Sequence, residues 1–282
     1  MREILIEKNE ENQRVDKFLK KYFPKATLGW IYKMLRKKNI KVNEQKVDPK
    51  YILLAGDKIQ IYFSEDTITN LREIKVIHNI NIQFQVVYED NNILIVNKPK
   101  GVLVDTKENV DTLTNQAIKY LYEKGAYDPL QEKTFVPASV NRIDRNTTGM
   151  VLIAKNNETV QNLNEMMRQR KAIRKYYKAI VKGNVKKEEI LTGFLIKEEK
   201  KNQVRAVEAD VTGAKEIHTR IRPIKNREDF SLLEIEILTG RSHQIRFHLS
   251  EIGHPILGDT KYGDREVNQR LKRNFKLDSQ LL

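Results

Sequence analysis

A chain of 282 residues with 39% apolar side chains has material for one large domain, or for a small domain beside a medium one. It has no cysteine, which excludes a disulfide framework, a thiolate zinc site and an iron–sulfur cluster. Its opening Met1–Ile6 runs straight into charge, and no run approaches the ~20 apolar residues of a membrane span, so it reads as cytoplasmic. Fifty-two Lys and Arg against 38 Asp and Glu give a net charge of +14 and a pI of about 9.6, an excess that suits a polyanionic partner.

The excess is concentrated early. Residues 1–63 hold fifteen basic and eight acidic side chains, a net +7, and residues 14–41 hold ten basic residues and one acid, Asp16. Val15, Phe18, Leu19 and Tyr22 recur at the spacing of one helix face, and Pro24 ends that helix. Thr27 is placed to cap a second helix with Leu28, Ile31, Met34 and Leu35 toward a core. Lys33, Arg36, Lys37 and Lys38 fall largely off that stripe. Ile40-Lys41-Val42, the turn Asn43-Glu44 and Lys46-Val47 read as a hairpin, and Ala55-Gly56-Asp57 turns into the alternating strand Ile59-Ile61-Phe63. Two short helices with a basic face followed by a small sheet resemble the S4 RNA-binding module, over about residues 13–63. Residues 1–66 are therefore expected to bind RNA through Lys33, Arg36, Lys37, Lys38 and Lys41.

Residues 67–82 have weak periodicity and mixed charge and read as a linker, which leaves 83–282 as a second domain. It opens with a strand, a turn at Asp90–Asn92, the apolar strand Ile93–Val96 and the corner Asn97-Lys98-Pro99-Lys100-Gly101. That corner is either an ordinary strand exit or a brace behind a catalytic loop, and the sequence does not choose. A helix-like stretch follows near Leu113–Tyr122. Then comes Asn141-Arg142-Ile143-Asp144-Arg145, with Thr147-Thr148-Gly149 and the apolar run Val151–Ala154. An aspartate between two permanent cations is expected to stay ionised, and on a loop entering a buried strand it suits a nucleophile or an electrostatic stabiliser.

Val160, Leu163, Met166 and Met167 form a helical stripe expected in the core. Arg168, Arg170, Lys171, Arg174 and Lys175 form a basic patch. In the strand that follows, alternation puts Tyr177, Ala179 and Val181 on one face. After the alternating strand Leu233–Ile237, Ser242 is expected to cap a helix whose buried stripe is Ile245, Leu249 and Ile252, with Arg246 off it and Gly253 as its stop. His243, His248 and His254 fall within twelve residues, but spacings of five and six do not stack them on one helix face, so no metal site is read.

Four blocks, taken in order, resemble the RluA-type pseudouridine synthases, in the branch with an N-terminal S4 domain that modifies large-subunit ribosomal RNA. They are Asn97-Lys98-Pro99-x-Gly101; Arg142-Ile143-Asp144-Arg145 with Thr147-Thr148-Gly149; Lys175-x-Tyr177-x-Ala179-x-Val181-x-Gly183; and Thr239–Arg246 running on to Gly258-Asp259 and Tyr262-Gly263. One position departs: the residue before Arg142 is commonly histidine in the family and is Asn141 here.

The resemblance implies a small S4-like domain followed by an α+β catalytic domain on a long, mostly antiparallel sheet. It implies that specific uridines in RNA are isomerised without cofactor or metal. Asp144 would be the nucleophile, Arg246 its ion-pair partner, and Tyr177 the ring that stacks on the target uracil and helps remove its C5 proton. Arg142, Arg145, Arg241 and His243 would contact RNA. Large-subunit rRNA is the expected partner, and the absence of coiled-coil heptads favours a monomer. Two other readings stand beside this one, a catalytically silent RNA-binding or ribosome-assembly protein and a tRNA-directed synthase. A glycoside hydrolase fits poorly, because it needs two carboxylates flanking the bond and Asp144 has basic neighbours.

Overall fold

Val15, Phe18, Leu19 and Tyr22 are buried along α1 (Val15–Tyr22), as one apolar helix face requires. Thr27 caps α2 (Leu28–Arg36) by accepting from the Trp30 amide at 3.2 Å, and Ile31, Met34 and Leu35 pack inward. Leu28, expected on that face, stays exposed at the first helical position, and Trp30 packs against the core instead. The helices share this core with a three-stranded antiparallel sheet of β1 (Arg2–Leu5), β2 (Ile40–Val42) and β3 (Lys58–Ile61), in the order β1-β3-β2.

Asn43 and Glu44 both adopt positive φ, 51° and 62°, as in a type I′ turn. The hairpin expected from it stops at a single bridge between Val42 and Gln45. Lys46 and Val47 leave as irregular chain, and β2 takes β3 as its partner. The cause is local. The Asn43 side chain donates to Asp57 Oδ1 at 2.7 Å and accepts from the Lys58 amide at 2.9 Å, which ties the turn to β3. Asp57 also accepts from the Leu54 amide and the Tyr51 hydroxyl. The two turn signatures noted in the sequence therefore hold each other.

The chain then continues as α3 (Glu65–Leu71), capped by Ser64, with Ile68 fully buried in the same core. One buried residue in seven is too sparse to show as periodicity, which is why the sequence reads this stretch as the start of a linker.

In this computed structural model the chain is described over residues 1–72, 79–106, 110–169, 172–198 and 202–282. Residues 73–78 of the expected linker lie outside that set, as do Arg170 and Lys171 of the expected basic patch. The chain divides into two compact units, one of residues 1–96, 105–141 and 151–162, the other of residues 97–104, 142–150 and 163–282.

A four-stranded sheet, in the order β4-β5-β7-β6, is built from β4 (Gln85–Glu89), β5 (Ile93–Lys98), β6 (Ala138–Ser139) and β7 (Gly149–Ala154). The Asp90 carboxylate accepts from the amides of Asn92 and Ile93, each at 2.7 Å, and so makes the expected β4–β5 turn. Helix α4 (Leu113–Glu123) buries Leu113, Ala117 and Leu121. Helix α5 (Asn157–Gln169) buries none of its residues, so the stripe of Val160, Leu163, Met166 and Met167 is half-buried to exposed rather than core. Periodicity reports an amphipathic face, not whether that face is covered.

The second unit is organised on a five-stranded sheet of β8 (Tyr176–Lys182), β9 (Glu189–Glu198), β10 (Gln203–Ala206), β11 (Lys215–Asn226) and β12 (Phe230–Ile237). Its order is β10-β9-β11-β12-β8, with every neighbouring pair antiparallel. Alternation sends Ala179, Val181, Ile221, Leu233 and Ile235 into one core with Ile245 and Leu249 of α6 (Gln244–Glu251). The last helix is α7 (Arg265–Phe275), capped by Asp264. The expected α+β architecture forms, but among the described residues the long sheet is two sheets of four and five strands. Ser242 does not cap α6. That position belongs to His243 at φ 54°, and Ile252 at the far end is 38% exposed. No helix among the described residues is long and apolar enough to cross a membrane.

Candidate active site

Asp144 sits on the loop entering β7, where the Thr147 amide donates to the Asp144 carbonyl at 3.1 Å and closes a turn. The carboxylate is about one-third exposed, and its Oδ2 accepts from Arg246 Nη1 at 2.9 Å. Arg246 itself is buried on α6. The other edge of its guanidinium grips Asp259 bidentately, Nε to Oδ2 at 2.7 Å and Nη2 to Oδ1 at 2.9 Å. Burial opposes the charge on Arg246, but Asp259 and then Asp144 more than offset it, so the guanidinium stands above its ordinary pKa. Asp259, fully buried, likewise stays below the usual carboxylate range despite burial, because Arg246 and the amides of Lys261 and Tyr262 donate to it. The pairing of Arg246 with Asp144 is the one the family resemblance implies. Asp259 is the residue that sequence reasoning misses, although its Gly258-Asp259 pair stands in the fourth motif block.

The flanking arginines do not do what the sequence suggests. Arg142 is exposed, and Arg145, also exposed, donates from Nε to the Gly101 carbonyl at 2.9 Å. Among the described residues, the guanidinium within ion-pair distance of Asp144 is that of Arg246.

Lys98 decides between the two readings of the Pro-Gly corner. It is fully buried, and its ammonium donates to three carbonyls, those of Pro99 at 2.8 Å, Val102 at 2.9 Å and Arg145 at 2.9 Å. Burial pushes its pKa down to about 8 against the charge of Asp144, so it remains largely protonated at neutral pH. Lys98 thus braces the Asp144 loop from behind.

Tyr177 stands on β8 opposite Ile235 and packs against the sheet core. Burial, and after it the charge of Asp144, raises its phenol to about 12, so the ring is neutral at physiological pH. His243, at its left-handed N-cap position, sets Nδ1 2.9 Å from the Tyr262 hydroxyl, which accepts from the Val204 amide at 2.8 Å. The other ring nitrogen, Nε2, lies 3.8 Å from Asp144 Oδ2. Burial holds this imidazole below its ordinary pKa.

The Tyr262 ring lies 5.2 Å from the Arg246 guanidinium. Gln244 ties the loop before α6 to the sheet. Its Oε1 accepts from the Arg241 amide and the Thr239 hydroxyl, and its Nε2 donates to the His218 carbonyl and Thr219 Oγ1. The Arg241 side chain is exposed.

The structure therefore brings Asp144, Arg246, His243 and Tyr177 together in the second unit. Lys33, Arg36, Lys37 and Lys38 are exposed on the first, where half-buried Lys41 lies over the Tyr62 ring. His248 and His254 turn to Thr219 and to the Lys182 carbonyl, away from any shared point with His243.

Residues 92–251 match the sequence profile described as RNA pseudouridylate synthase. The chain belongs to the RNA pseudouridylate synthase family. Residues 13–59 match the S4 domain, so this synthase carries an RNA-binding module before its catalytic region. A relative from Mycoplasma capricolum, called an uncharacterized RNA pseudouridine synthase, is 32% identical over 96% of this chain and 88% of its own length. The ribosomal large subunit pseudouridine synthase C of Buchnera aphidicola subsp. Baizongia pistaciae is 32% identical, over 98% and 85%. Human RNA pseudouridylate synthase domain containing 1 shares the fold, with a TM-score of 0.54 and 20% identity over 72% of this chain and 77% of that one.

Proposed function

We propose that this synthase isomerises uridine in large-subunit ribosomal RNA, with Asp144 as nucleophile. The reaction breaks the bond between uracil N1 and ribose C1′ and joins C5 to C1′. The C5 proton is lost and N1 gains one, so nothing is oxidised and no co-reactant is consumed. The observation that carries the reading is how Arg246 divides its donors. Its fork is spent on Asp259 and a single N–H reaches Asp144 Oδ2, so among the described residues no donor occupies Oδ1. A carboxylate fixed at one oxygen and open at the other is oriented yet still nucleophilic.

Tyr177 offers its ring to the extruded uracil. Its phenol, held near 12 by burial, keeps that stacking ring uncharged at neutral pH. The exposed Arg142 and Arg145 grip phosphates or fill the gap left by the flipped nucleotide, and Arg241 and His243 border the same loop. Flipping costs a few kcal/mol, which favours a loop or weakly paired uridine. Residues 1–66, extended by α3 as far as Leu71, act as the RNA-binding module, and residues 83–282 carry the catalysis. The charge excess and the named large-subunit relatives support this substrate, and a monomer acting in the cytoplasm is part of the proposal.

The test is a pseudouridine map of total RNA, by carbodiimide-stop sequencing, from cells with and without the gene. One or a few large-subunit rRNA sites should lose signal and regain it with wild type but not with Asp144→Ala, whose RNA affinity stays unchanged. Loss confined to tRNA would move the substrate, and an unchanged map in cells expressing the protein would sink the reading.

A further inference from the structure

Residues 278–282 lie outside every motif block of the family and outside the matched span 92–251. Within the second unit they nevertheless touch all four blocks. Asp278 pairs with Lys100 at 2.8 Å. The Leu281 carbonyl accepts from the Ile180 amide on β8 at 3.2 Å, and the Leu281 amide donates to the Leu257 carbonyl at 2.9 Å. The Ser279 carbonyl lies so close to Gly258 that a Cβ there would stand 2.1 Å from it, at a φ of +79°. Leu282 packs into the same core as Tyr177, and its main-chain oxygen accepts from the Thr148 amide at 3.2 Å.

Gln280 also reaches the Asp144 loop. Gln280 and Thr147 are both buried, and Gln280 Nε2 donates to Thr147 Oγ1 at 2.8 Å. Thr147 in turn donates its amide to the Asp144 carbonyl. On the other side of the loop, Lys98 and the Gly101 amide both hold the Arg145 carbonyl. Between these grips Arg142, Arg145, Asn146 and Thr148 are all exposed, and buried Thr147 is the loop side chain that meets Gln280. Arg246 supplies one N–H to the carboxylate, so the position of Oδ1 depends on the backbone that carries it.

We propose that Gln280 is a positioning residue for the isomerisation, acting through Thr147 to set the turn that presents Asp144. This rests on Asp144 as the nucleophile. A misplacement of about 1 Å at a reacting group costs on the order of a hundredfold in rate. Breaking the buried amide–hydroxyl hydrogen bond is therefore expected to lower kcat by roughly ten- to a hundredfold, with substrate binding left alone.

The experiment uses the full chain and tritium release from large-subunit rRNA transcribed with 5-tritiated uridine. Gln280→Met removes the donor at similar volume, Thr147→Val removes the acceptor, and Thr147→Ser keeps it. The proposal expects the kcat loss in both single removals, with KM and RNA affinity within about twofold of wild type. It expects no further loss in the double variant, and near-wild-type kcat in Thr147→Ser. A kcat within twofold in Gln280→Met, a loss carried by KM, an additive double variant, or a Thr147→Ser as slow as Thr147→Val each overturns it. If Gln280→Met does not fold, the contrast of Thr147→Val with Thr147→Ser carries the same test. Asp144→Ala run alongside reports on the underlying reading separately: tritium release there would remove the nucleophile, whatever Gln280 does.

Discussion

Asp259→Asn separates the two carboxylates that share Arg246. Asp259 is fully buried, holds two guanidinium N–H groups at 2.7 and 2.9 Å, and accepts from two amides at 2.8 and 3.1 Å. Asparagine keeps the shape but removes the charge and turns an NH2 group toward one of those donors. Removing one partner of a buried pair costs about 3–5 kcal/mol when the other charge is left alone; Asp144 still pairs with Arg246, so the lower end, about 3 kcal/mol, is expected, against a total stability of about 5–15 kcal/mol. Asp144→Asn breaks a single contact at a side chain about one-third exposed, so it should cost less than about 1 kcal/mol while abolishing isomerisation. Urea denaturation followed by circular dichroism measures both, with the Asp259→Asn midpoint expected to fall by about 1–2 M. The same substitution should also lower kcat more than tenfold, because Arg246 Nη1 is no longer held. If Asp259→Asn is as stable as wild type, or Asp144→Asn loses as much, the division of roles between the two carboxylates is wrong.

Two further predictions concern charge and pH. Replacing the exposed Lys33, Arg36, Lys37 and Lys38 by Gln should reduce the slope of log affinity against log salt by up to about 3, at roughly 0.7 for each phosphate no longer neutralised; filter binding between 50 and 200 mM salt measures this, and an unchanged slope would take the α2 face out of the RNA interface. Burial, with His218 adding to it, pushes buried His248 down to about 4, and its Nε2 has no hydrogen-bond partner among the described residues. Protonation is thus favoured in the unfolded chain, so the stability due to neutral His248 is fully present above pH 6.5 and is lost as pH falls from 6.5 toward 4. The loss should approach about 3 kcal/mol. His248→Gln should flatten urea-denaturation stability over that window, and an identical pH dependence in the variant would refute the assignment.

Much of this architecture is legible in the sequence because packing obeys period. The stripe Val15, Phe18, Leu19 and Tyr22 becomes a buried face, and so do Ala179 and Val181 on β8. What escapes is decided by partners far away in sequence. Asp144 looks like a carboxylate between two arginines, yet its cation comes from Arg246, 102 positions on. Lys46 and Val47 look like a strand until Asn43 and Asp57 bind the turn to β3. Helix α3 hides behind one buried isoleucine, and the stripe on α5 is real but uncovered. Asp259 gives no charge pattern of its own, and its function shows only once Arg246 is seen to need a second carboxylate. Asn141, the one departure from the family pattern, takes a backbone role, its Oδ1 accepting from the Leu152 amide at 2.8 Å.

The arrangement around Arg246 shows how a strong ion pair leaves open the carboxylate proposed as nucleophile. A guanidinium placed fork-on-fork against Asp144 would occupy both carboxylate oxygens and hold the anion in its ground state. Here the fork is turned onto Asp259, which neutralises the buried cation and fixes its plane, and Tyr262 lies against its face. Asp144 then receives one directed N–H at Oδ2 and keeps Oδ1 for the substrate. On the proposed role of Asp144, the loss of its charge in the reaction leaves Arg246 still paired, because Asp259 remains as its counterion.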